Sequence, residues 1–177
     1  MKQHAWDFPV YQVVGFKNSG KTTVMNHLIH FLKSQGVNVA TIKHHGHHSK
    51  LSPNHQLTDS FSHKESGAFL SGVEGGGSFQ LDYDSRVELK LEDLLHIYSR
   101  FQPDIVLVEG FKNEAYPKIL VLGNEEEREL LYELEDVRVI ISRADSSKEN
   151  LPEYHLNEVV SQCGRIMHHL ERERSRK

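Results

Sequence analysis

Val10-Tyr11-Gln12-Val13-Val14-Gly15-Phe16-Lys17-Asn18-Ser19-Gly20-Lys21-Thr22 joins two patterns in succession. Its first part is a β-branched apolar run, and Gly15 to Thr22 satisfy G-x-x-x-x-G-K-T. Val24, Leu28, Ile29 and Leu32 follow at helical spacing, so the motif sits between a strand and a helix. Gly15 and Gly20 let the backbone turn tightly, so that successive N–H groups and the helix N-terminus converge on one point. Such a point binds phosphate oxygens. At this spacing Lys21 reaches the β- and γ-phosphates of a nucleotide, and the Thr22 hydroxyl completes a Mg²⁺ shell. Phe16 stands where one subclass of these loops carries a further signature lysine; Lys17, one place on, reads as a solvated loop charge.

Working outward, β-branched runs alternate with helix-period segments, the pattern of a mostly parallel sheet with helices on both faces. The expected fold class is α/β, a P-loop nucleotide-binding fold, formed by one domain of 177 residues. Strands are expected at 10–15, 37–43, 104–109, 118–122 and 137–142, and helices at 21–35, 57–68, 91–101 and 156–170. Residues 69–81, interrupted by Glu74-Gly75-Gly76-Gly77, predict a β-hairpin excursion. Ile105 to Val108 are continuously apolar, as expected of a strand covered on both faces.

Composition narrows the function. A net charge of -4 lacks the basic surface that non-specific nucleic-acid binding draws on. No apolar run approaches the roughly 20 residues that cross a bilayer, and the polar first nine residues are unlike a signal peptide. The expectation is a cytoplasmic protein with neither a nucleic-acid nor a membrane partner. The single cysteine, Cys163, excludes an intrachain disulfide and reads as a small buried helix residue.

The remaining chemistry is expected at strand ends. A P-loop needs a metal-organising acid at the end of a neighbouring strand, and Ile105-Val106-Leu107-Val108-Glu109-Gly110 supplies Glu109. It would hold Mg²⁺, directly or through a water, or orient an attacking water, while Gly110 presents its N–H to a γ-phosphate. Lys43-His44-His45-Gly46-His47-His48 follows the second strand, where α/β proteins bind ligands. Lys43 and one or two of the histidines fit an anionic ligand better than a zinc ion, because structural zinc spacings and supporting cysteines are lacking. Asp59 is either a helix cap or a further magnesium group. Ser142-Arg143-Ala144-Asp145 loosely matches the N-K-x-D element, through which Asp145 would accept from guanine and Arg143 would stack on it; a plain loop aspartate is the other reading.

G-F-K-N-S-G-K-T-T, I-K-H-H-G-H-H, the stretch from Asp59-Ser60 to Glu65-Ser66-Gly67-Ala68, and L-V-E-G-F-K together resemble the molybdopterin-guanine dinucleotide biosynthesis protein B family, over about residues 10–145. The resemblance implies a homodimeric, Mg²⁺-dependent GTP-binding accessory protein, with at most slow GTPase activity, working with a molybdopterin guanylyltransferase and with molybdopterin or molybdoenzyme partners. By position, Gly15, Asn18, Ser19, Gly20, Lys21, Thr22 and Thr23 would hold the GTP phosphates, and Thr22, Glu109 and Asp59 the metal. Lys21 and Glu109 would carry any hydrolysis. Asp145 would meet the base, and Lys43, His44 and Lys112 would line the pocket near the anionic pterin. Two other classes compete: a P-loop small-molecule kinase, against which the lack of an arginine-rich lid counts, and a metallochaperone-type GTPase storing metal on His44, His45, His47 and His48.

Overall fold

The computed structural model describes residues 6–45, 59–85, 87–144 and 150–172, with side chains of the second segment from residue 62 onward. In chain order the elements are β1 (Val10–Val14), α1 (Lys21–Ser34), β2 (Val39–Lys43), α2 (Asp59–Glu65), β3 (Leu70–Gly75), β4 (Ser78–Tyr83), α3 (Leu91–Ser99), β5 (Ile105–Glu109), β6 (Lys118–Val121), α4 (Leu130–Glu133), β7 (Val137–Ser142), β8 (Glu153–His155) and α5 (Val159–Glu171). They cluster into two compact units, one drawn from Met1–Gly46 and Leu91–Lys177, the other from His47–Lys90.

The larger unit is a six-stranded sheet in the order β2-β5-β1-β6-β7-β8, with every pairing parallel. Strands buried on both faces are largely apolar, and β1, β5 and β6, buried along their whole length, carry one polar residue each, Gln12, Glu109 and Lys118. Alternate residues divide between two faces. Val13, Leu107, Ile119, Val121, Val139 and Ile141 pack against α1 and α5 through Val24, Leu28, Cys163, Ile166 and Leu170. On the opposite face Val106 and Val108 meet Leu91 and Leu95 of α3, while Val14, Leu120 and Ile140 meet Leu130 of α4. Cys163 is buried as expected, its thiol donating to the Val159 carbonyl, and burial pushes its pKa up. Because all six strands are parallel, the turns following β1, β2, β5, β6, β7 and β8 share one edge of the sheet.

The second unit holds α2 and the antiparallel hairpin β3–β4. The turn is tighter than the four-residue interruption expected. Gly76 and Gly77 both have positive φ, 59° and 80°, as a two-residue hairpin turn requires. Glu74 and Gly75 are therefore paired with Phe79 and Ser78, and β4 runs on to Tyr83. Lys64 of α2 pairs with Asp82 at 2.9 Å and Asp84 at 3.0 Å.

Other boundaries moved for equally local reasons. The closing helix begins at Val159, since Leu156–Glu158 form a 3₁₀ turn capped by His155. Neither β8 nor α4 was expected. Three and four residues are too few to display a period.

Candidate functional site

The phosphate loop is built by close packing against β6. At Gly15 φ is 148°, and a Cβ there would lie 2.2 Å from the Val121 carbonyl oxygen. Any larger residue would push the loop off the sheet. Asn18 takes the left-handed conformation at φ 65°, and Gly20 ends the loop as the N-cap of α1. That helix start has no side-chain cap and no acidic residue in its first turn. Its N–H groups and positive dipole end are thus left for an anion. Ser19 is 1% exposed, and its hydroxyl has no hydrogen-bond partner among the described residues. A buried orphan hydroxyl inside such a loop fits a phosphate oxygen as its missing partner.

Lys21 lies across the loop, its Nζ donating to the Phe16 carbonyl at 2.5 Å. Desolvation lowers its pKa; the charge of Glu109 works against that shift and that of Lys43 adds to it. The ammonium is held where a phosphate would relieve the desolvation.

Glu109 ends β5 and is 8% exposed, not a solvated strand end. Its two oxygens are engaged separately. The Thr22 hydroxyl donates to Oε2 at 3.3 Å, and the Lys43 ammonium lies 2.9 Å from Oε1. The backbone places them, since Lys43 is in register with Glu109, the His44 N–H donates to the Glu109 carbonyl at 2.9 Å, and the Gly110 N–H donates to Val13 at 3.1 Å. A hard cation between Thr22 and Glu109 would find oxygen ligands of the kind Mg²⁺ takes. The His44 ring lies 4.5 Å from that of Phe111, so an aromatic wall stands beside the Lys43–Glu109 pair.

Gln12 is the functional support that sequence reading missed. Fully buried in the middle of β1, it donates to the carbonyls of Gly110 at 3.0 Å and Phe111 at 2.7 Å. It thereby ties down the turn after Glu109. The signal was available: one polar side chain in an otherwise apolar central strand must be satisfied by something nearby.

Of the remaining expectations, Thr23 and Lys112 are exposed, the first on the opening turn of α1 and the second in the turn after β5. Lys17 is exposed too, as a solvated charge should be. Asp59 is the first residue of α2, in the second unit, and its side chain lies outside the described residues, as do Gly46, His47, His48 and Asp145. Among the described residues no three His, Cys, Asp or Glu side chains gather as metal ligands, and no helix is long and apolar enough to cross a membrane.

Residues 10–144 match the family described as molybdopterin guanine dinucleotide synthesis protein B. The chain belongs to this family. Among MobB relatives, a Bacillus subtilis protein named probable molybdopterin-guanine dinucleotide biosynthesis adapter protein is 35% identical over 156 residues, 87% of this chain and 89% of the relative. The crystal structure of Bacillus subtilis MobB superposes with a TM-score of 0.76 at 33% identity, covering 94% of this chain and all of that one. That of a MobB homologue from Bacillus stearothermophilus gives 0.74 at 30% identity, covering 91% and 97%. The α/β fold and the family expected from the sequence are both borne out.

Proposed function

We propose that the protein is a GTP-binding adapter of molybdenum cofactor biosynthesis that assists a molybdopterin guanylyltransferase in forming molybdopterin guanine dinucleotide in the cytoplasm. The observation that carries this reading is the cluster of Lys21, Thr22, Lys43 and Glu109 around an uncapped helix start, in a chain of the MobB family. Gly15, Asn18, Ser19, Gly20, Lys21, Thr22 and Thr23 bind the nucleotide phosphates, while Thr22 and Glu109 hold Mg²⁺, which supplies charge neutralisation when bound. Asp145 reads the base. Lys43, His44 and Lys112 face the anionic pterin, beside which the His44 and Phe111 rings stand 4.5 Å apart and tilted by 42°. The Lys43–Glu109 ion pair suits slow turnover, because a carboxylate oxygen already held by a lysine must be released before it can orient a water.

The same reading makes the protein a homodimer. On the hairpin, Leu70, Phe79, Leu81 and Tyr83 share one face by register, and each is about half exposed. A two-stranded ribbon with an open apolar face is marginally stable in water, and a second copy would cover it.

Reconstitution tests the function. Added to a purified molybdopterin guanylyltransferase with molybdopterin and limiting Mg-GTP, the protein should raise the rate of dinucleotide formation, and its Lys21→Ala variant should not. Equal rates with wild type, variant or no addition would remove the adapter role.

A further inference from the structure

Lys118, at the start of β6, is fully buried and has no part in the site described above. A lysine is almost never fully buried unless its ammonium is met by partners. Here the partners are backbone carbonyls, for Nζ donates to Glu114 and, at 2.8 Å, to Tyr116. Burial lowers the Lys118 pKa, and the charges of Asp136, Glu135 and Glu114 oppose that shift. Both carbonyls belong to residues 110–117, the crossover that links β5 to β6 across β1.

A crossover that contains no helix has no ladder for its own carbonyls, so the strands it packs on must supply donors. Gln12 and Lys118 do so together. They are in register on neighbouring strands and therefore share one face of the sheet. Gln12 donates to Gly110 and Phe111, Lys118 to Glu114 and Tyr116, and the Glu114 N–H closes the turn on the Phe111 carbonyl at 3.0 Å. Anchored at both ends, the turn keeps Phe111 at φ 51°, a left-handed conformation that a residue with a Cβ holds only where its surroundings over-determine it. Such strain gathers at ligand clamps. The same turn sets the Phe111 ring 4.5 Å from that of His44 and leaves the next residue, Lys112, exposed.

We propose that Lys118 is a positioning residue for a flat anionic ligand, a pterin bearing a phosphate monoester, and acts by holding the Phe111–Glu114 turn so that the Phe111 ring and the Lys112 ammonium are in place before the ligand arrives. The inference rests on the pterin-facing reading of Lys43, His44 and Lys112 and adds the buried residue that shapes that face. Preorganisation of this kind raises affinity by removing the cost of ordering the turn on binding. Two substitutions separate shape from stability. Lys118→Met fills most of the buried volume and removes both donors. Phe111→Gly removes the ring and adopts φ 51° without a steric penalty, so it keeps the fold.

The test titrates the full-length protein with hydroxymethylpterin phosphate, followed by pterin fluorescence, and separately with Mg-GTP. Lys118→Met should weaken the pterin phosphate roughly ten-fold, the value of one to two hydrogen bonds, while Mg-GTP binds as to the wild type. Lys118→Gln, whose shorter neutral amide reaches fewer carbonyls, serves where Lys118→Met does not fold. Phe111→Gly should lose a similar factor while Tm holds or rises. Because Lys118 acts through the turn, the double variant should lose clearly less than the product of the two separate factors, whereas a merely structural lysine would add its effect independently. Wild-type pterin affinity in either variant, equal loss of both ligands on substituting Lys118, or a double variant at the full product would overturn the positioning role. A wild-type protein that binds Mg-GTP and not the pterin phosphate would overturn the pterin reading on which the role rests.

Discussion

At the scale of single residues, Lys21 and Gln12 carry opposite kinds of importance. Lys21 is a partly exposed cation on a surface cradle, so Lys21→Ala should abolish nucleotide binding while changing Tm little, as calorimetric titration beside a melting curve would show. The lowered pKa of Lys21 adds a pH signature. Only the protonated ammonium attracts phosphate, and a depressed pKa means that the proton leaves earlier as pH rises. Affinity should be full at neutral pH and fall on the alkaline side, beginning below the ordinary lysine value of 10.5, whereas Lys21→Arg should show no such fall. Gln12 acts through structure. Gln12→Leu leaves two backbone carbonyls without their donor and should cost about 2 kcal/mol, roughly 4–8 °C in Tm for a chain of this size. Nucleotide affinity should fall with it, because the Glu109–Gly110 turn loses its tie. A Gln12→Leu variant with unchanged Tm and affinity would show that the two hydrogen bonds do nothing for the site.

At the scale of elements, the hairpin offers the clearest test. Substituting Leu81→Asp should convert a dimer into a monomer in light scattering while Mg-GTP affinity is retained, since Leu81 belongs to the second unit and the phosphate loop to the first. A monomeric wild type would contradict the dimer. The elements also show what was legible in the sequence. β1, α1 and β5 declared themselves because burial on both sheet faces, or on one helix face, imposes a period that five to fourteen residues can display. β8 did not, since Glu153-Tyr154-His155 is three residues long and its strand character comes from pairing with Ile140, Ile141 and Ser142. The burial of Glu109 was likewise illegible. It depends on Lys43 and Thr22 arriving from two other elements, and no local pattern records such a meeting.

At the scale of the whole molecule, one all-parallel sheet sets the function by bringing six turns to a single edge. β1 contributes the phosphate cradle, β2 and β5 the Lys43–Glu109 pair beside His44 and Phe111, and β6 to β8 a small pocket between Glu125 and Arg143. The strand–loop–helix geometry of the Gly15–Thr22 loop was readable from one motif because a P-loop is local in sequence. The support that Gln12 gives was not, because it acts across 99 residues of chain. Equilibrium competition tests whether this edge holds GTP. Labelled Mg-GTP should bind the purified wild-type protein saturably at one site per chain, be displaced by unlabelled GTP, and resist an equal excess of ATP. Displacement by ATP as effective as by GTP, or no saturable binding at all, would contradict the account.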